Sequence, residues 1–71
     1  MITMERIKEV AEESVELTMD GIIYKIIVAY EDDIFAEDET GDETTITYEE
    51  LMDAIKNGSE VKFFKLEEVK L

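Results

Sequence analysis

The chain has no cysteine and no histidine, and between Lys25 and Lys56 it has no positive side chain. Without cysteine no disulfide can staple the fold, and without either residue the usual zinc ligand sets cannot be assembled. The same absences remove the commonest general base and the most reactive nucleophile. A pair of carboxylates could still do acid–base work, as in glycoside hydrolysis. Yet 71 residues leave little room for a cleft that would shield such a pair and shift its pKa. The expectation is a protein that is not an enzyme, with no cofactor and no metal site. There is also no internal repeat and no proline-rich or serine-rich linker. Residues 1–71 are therefore expected to form one domain, near the lower size limit at which a core holds unaided. Met1–Glu5 lacks the basic start and apolar run of a secretory signal. The longest apolar stretch, 22–30, is broken by Lys25 and is too short to span a bilayer. Cytoplasmic residence is the expectation.

What the chain does have is negative charge in one place. Eleven carboxylates fall between Lys25 and Lys56: Glu31, Asp32, Asp33, Glu37, Asp38, Glu39, Asp42, Glu43, Glu49, Glu50 and Asp53. They account for −11 of a net −13, so the flanking segments are close to balanced. A field this concentrated repels nucleic acid and anionic membranes and selects for a basic partner. Disorder does not follow from the charge, because 45% of the residues are hydrophobic and nine are isoleucine.

Periodicity places the elements. Met4, Ile7, Val10 and Ala11 share one face of a helix over 3–13, with Arg6–Glu9 and Lys8–Glu12 spaced for surface pairs and Glu12 and Glu13 opposing the dipole at its end. Val15, Leu17 and Met19 alternate with polar residues, and Asp20-Gly21 suits a primed turn. The resulting hairpin sets Met19 opposite Ile22, Leu17 opposite Tyr24, Val15 opposite Ile26 and Glu16 opposite Lys25. Ile23, Ile27 and Ala29 fall on the other side of the second strand, which is expected to be central and at least partly covered on both faces.

Residues 31–43 read as an acidic loop turning at Gly41-Asp42, anchored by Ile34 or Phe35, with a short strand over 44–46. Thr47 and Glu50 are spaced as a capping box for a second helix carrying Tyr48, Leu51, Met52 and Ile55 inward, with Lys56 in its last turn and Gly58 as its cap. A last strand is expected over 61–66. The fold class is thus α+β: an N-terminal helix, an antiparallel hairpin, an acidic loop, a second helix and a third strand in one small sheet.

Asp38, Thr40, Asp42 and Glu49 match four positions of an EF-hand loop. Glu43 stands where that loop needs glycine, and a strand stands where it needs a helix. A different use of the acids fits better. Carboxylates one helical turn apart, such as Glu49 and Asp53, or at alternate strand positions, such as Glu31 and Asp33, are spaced by about 5–7 Å. Such spacings can meet lysines and arginines arranged to receive a phosphate backbone. In its helix at 3–13, strand pair at 15–30, acidic connection at 31–43 and later helix at 51–58, the chain resembles the small acidic DNA mimics of phages and mobile elements, including anti-CRISPR inhibitors. The resemblance implies a non-enzymatic inhibitor acting in the host cytoplasm. Its partner would be a basic nucleic-acid-binding protein, with RNA-guided nucleases among the candidates.

On this reading the eleven acids are the partner-binding residues, accepting hydrogen bonds from Arg and Lys, and Tyr30 or Phe35 can stack on an arginine. The rival reading is a generic interaction or accessory module. There an apolar strand face (Phe63, Phe64, or Ile23 with Ile27) makes the contact, and the acids only maintain solubility.

Overall fold

The computed structural model describes residues 3–65. Thr3 caps the first helix, its hydroxyl accepting the Arg6 N–H at 3.2 Å, and α1 runs Met4–Glu12. Five strands follow: β1 Ser14–Met19, β2 Ile22–Ala29, β3 Asp33–Asp38, β4 Glu43–Thr47 and, after helix α2 at Tyr48–Lys56, β5 Val61–Lys65. All neighbours pair antiparallel in the order β4-β3-β2-β1-β5, so β1 to β4 form a meander and α2 returns the chain across the sheet to place β5 beside β1. The class is α+β, as the periodicities suggest. No helix among the described residues is long and apolar enough to cross a membrane.

The signals at the turns hold. Asp20 and Gly21 both take positive φ, 51° and 85°, which is the conformation a primed two-residue turn requires. The register is the expected one from Glu16–Lys25 through Leu17–Tyr24 to Met19–Ile22. Asp20 also ties this turn to the entry of β5: its N–H donates to the Glu60 carbonyl and its carboxylate accepts the Glu60 N–H, each at 2.9 Å. At α2 the Thr47 hydroxyl accepts the Glu50 N–H at 3.0 Å. The helix closes in a Schellman motif, with the Ser59 N–H on the Ala54 carbonyl, the Gly58 N–H on the Ile55 carbonyl and Gly58 at φ 89°. The first helix does stop at Glu12, and Glu13 pairs with Lys65 at 2.7 Å. Arg6–Glu9 forms at 3.3 Å, whereas Lys8 lies over the Tyr48 ring, 5.7 Å from its centroid.

Both helices pack on the same side of the sheet. Ile7 and Ala11 from α1 and Tyr48 and Leu51 from α2 share one core with Leu17, Ile34, Ala36 and Ile46. The first correction follows from this layering. β2 is the middle strand, but it is covered on one face only, and Ile22, Ile23, Ile27 and Val28 remain exposed. Antiparallel sheets tolerate this, since one solvated face costs no backbone hydrogen bonds.

Two β-bulges account for the misplaced side chains. One lies between Ser14 and Glu16 against β5, so Ser14 takes the inward position and Val15, expected inside opposite Ile26, is 41% exposed. The other lies between Ile26 and Val28 against β3 and returns Ala29 to the core side, away from Ile23 and Ile27. The largest correction concerns residues 31–43. They are not a loop: Asp33–Asp38 is a full strand whose Ile34 and Ala36 are completely buried, and the expected short strand at 44–46 lengthens to Glu43–Thr47. The sheet has five strands because this acidic segment supplies one. Leu66, expected to end the last strand, lies outside the described residues, as does the tail 67–71.

Candidate functional site

Strand β3 divides the acidic stretch between the two ends of the sheet. At one end the connection from β2 to β3 is held by three hydrogen bonds. The Tyr30 N–H donates to the Asp33 carbonyl at 2.7 Å, the Tyr48 N–H to the Asp32 carbonyl at 3.3 Å, and the Tyr48 hydroxyl to the Tyr30 carbonyl at 2.8 Å. The tyrosine that makes two of these bonds is itself only 1% exposed. Glu31 and Asp32, both exposed, and half-buried Asp33 therefore sit beside the start of α2. Glu49 and Glu50 occupy its first turn, where negative charge suits the helix dipole. Burial first, then the charges of Glu12 and Asp33, push the Tyr48 hydroxyl above its ordinary 10.0, keeping it a donor.

At the other end the β3–β4 turn gathers Glu37, Asp38, Glu39, Asp42 and Glu43. Asp38 and Asp42 close the ladder, the Asp38 N–H donating to the Asp42 carbonyl at 2.9 Å, and Gly41 takes φ 90°. The Asp38 carboxylate accepts the Thr40 hydroxyl at 2.7 Å, the Thr40 N–H at 2.9 Å and the Asp42 N–H at 3.0 Å. The hydroxyl bond leads the effects that hold this carboxyl below its ordinary 3.8, helped by the backbone N–H groups of the turn. Asp38 is thus occupied in building the turn. Glu39 reaches sideways to the Ile23 N–H at 3.5 Å. Asp53 stands apart from both groups on the exposed side of α2.

Alternation fixes what lies between the two ends. Ile34 and Ala36 point to the helices, so Asp33, Phe35 and Glu37 line the uncovered face. Phe35 is half-buried, paired with Val28 on one side and Thr45 on the other. One row across the sheet reads Glu43, Glu37, Lys25, Glu16 and Phe64 in register. Glu37 and Glu43 directly oppose each other, an arrangement that disfavours the hairpin. The ion pairs among the described residues join Arg6 to Glu9, Lys62 to Glu60 and Lys65 to Glu13, and none uses an acid of the 31–53 stretch.

Of the proposed stacking residues, Tyr30 is exposed and Phe35 sits in the sheet. Of the apolar candidates, Phe64 is exposed whereas Phe63 packs toward the core. Sequence reasoning placed Glu16 opposite Lys25 but missed Val28 and Thr45 as parts of this face. The alternating pattern could have located Thr45, but Val28 is set by a bulge that leaves no mark in the residues themselves. No family model matches the chain, and neither a curated protein nor a solved structure matches it. The arrangement offers an array of carboxylates able to accept hydrogen bonds from Lys and Arg.

Proposed function

We propose that this protein is a non-enzymatic inhibitor that mimics nucleic acid, occupying a basic groove on a nucleic-acid-binding protein such as an RNA-guided nuclease. One observation carries the reading. The acids of the stretch ride on hydrogen-bonded strands, turns and a helix, and none of them takes part in an ion pair among the described residues. Carboxylates held in place before binding avoid the ordering cost that a floppy acidic peptide must meet. Asp33 and Glu37 are four strand residues apart, about 14 Å along β3, which exceeds the Debye length of about 8 Å at physiological salt. The two ends therefore act as separate anchors and suit a groove with two basic clusters, as a protein that tracks a phosphate backbone would have.

Duplex competition tests the proposal. An RNA-guided nuclease is captured on the immobilised protein at low and at physiological ionic strength, then challenged with target duplex. The complex is expected to weaken steeply with salt and to be displaced by duplex. Amides at Asp32, Asp33, Glu37 and Glu43 should weaken it further. Capture of this or any other basic partner that ignores both salt and duplex would overturn the mimicry.

A further inference from the structure

The uncovered face of the sheet is less polar than a solvated face needs to be. Along its middle strand Ile23, Ile27 and Val28 are 40%, 44% and 40% exposed, and Phe64 on β5 is 46% exposed. Phe35 fills the space beside Val28. The central strand of a sheet is ordinarily its best-protected element, so this apolar strip lies where a partner would bury it most fully. Charge crosses this strip as well as framing it. Lys25 lies between Ile23 and Ile27, in one transverse row with Glu16, Glu37 and Glu43, while Asp33 lies farther along β3 and the turns at both ends add Glu31, Asp32, Glu39 and Asp42. Apolar side chains interleaved with charge and rimmed by more of it make a surface of the kind that protein interfaces use.

The frame decides what can cover the strip. A second copy laid face to face would bring two such rims together, each from a chain of net charge −13. A neutral apolar partner would desolvate Glu16, Glu37 and Glu43 without compensation. A surface that interleaves lysine or arginine with apolar side chains satisfies both the strip and its charges. We infer that the uncovered sheet face is the docking surface and that it takes a cationic polypeptide surface with apolar side chains set among its cations. The inference rests on the proposed recognition of a basic partner and specifies which face meets it, leaving Asp53 and the outer sides of α1 and α2 outside the contact.

Two synthetic peptides separate the parts of this proposal: one alternating lysine and leucine, the other an oligolysine of equal charge. Binding to the isotopically labelled protein is followed by amide chemical shifts at low salt. The lysine–leucine peptide should bind about tenfold tighter, a difference that burial of a few aliphatic side chains can supply. Its shifts should centre on Ile23, Ile27, Val28 and Phe35. The double variant Ile27→Thr with Val28→Thr keeps residues suited to a strand, and unchanged amide dispersion would show that it folds. It should bring the two affinities to within about twofold. Equal affinities in the wild type, shifts centred on the helices, or an unaffected double variant would each overturn the docking surface. Oligolysine that binds while leucine adds nothing sinks only this inference. If neither peptide binds at low salt, recognition of a basic partner fails as well. Self-association of the wild type that the double variant abolishes would replace the cationic occupant with a second copy.

Discussion

The β1–β2 and β3–β4 hairpins are built on the same plan and decorated differently. Each turns through a glycine at positive φ, Gly21 in one and Gly41 in the other, and each sends alternate apolar residues beneath the helices. On the outward side the first hairpin pairs Glu16 with Lys25, opposite signs in register, whereas the second pairs Glu37 with Glu43. The comparison teaches that half of a strand's residues decide whether it forms. Ile34, Ala36 and Ile46 bury enough surface to hold β3 and β4 in the sheet, and their outward neighbours are then free to carry charge.

The sharpest way to break the comparison is to remove one inward residue from each hairpin. Leu17→Ala and Ile34→Ala both empty a fully buried position, and each should cost about 2–5 kcal/mol in urea unfolding. If Ile34→Ala cost less than a quarter of Leu17→Ala, β3 would be an appended segment and not a core strand.

A smaller effect compares the turns. Gly21 has nothing within 4 Å of a would-be Cβ, and Gly41 has only the Glu37 carboxylate at 3.6 Å, an ordinary contact. Backbone strain should therefore dominate both substitutions, and Gly21→Ala and Gly41→Ala should each lose about 1–2 kcal/mol. A loss confined to Gly21 would mean that the β3–β4 turn tolerates another geometry.

The smallest effect has the opposite sign. Glu43→Lys replaces the like-charge pair with Glu37 by an attractive one and should stabilise the fold by about 0.2–1 kcal/mol. The same change should weaken capture of a basic partner. A variant that gains stability and also binds as tightly as wild type would remove Glu43 from the contact.

Several features could be read directly from the residues because their causes are local. Asp20-Gly21 needs only its own two dihedral angles, the Thr47 cap only the N–H three residues on, and the Gly58 cap only the turn before it. The acidic segment was misread for a reason that is equally physical. In β3 the inward positions are Ile34, Ala36 and, at the turn, Asp38, so the two-position pattern offers one aliphatic and one small residue before an acid interrupts it, with Asp33 and Glu37 on the other face. Nothing within the segment shows that β2 waits beside it with a free edge.

The sequence by itself determined the class of each strongly periodic element, the positions of the turns and caps, and the sign and concentration of the charge. Those follow from side-chain period, backbone dihedral preference and ionisation, which act over a few residues. Only the tertiary structure decided that the acids part toward the two ends of β3, that Asp38 is spent on its own turn, and that an apolar strip lies bare between them. Strand pairing and the two bulges set these outcomes, and both depend on partners brought together from distant parts of the chain.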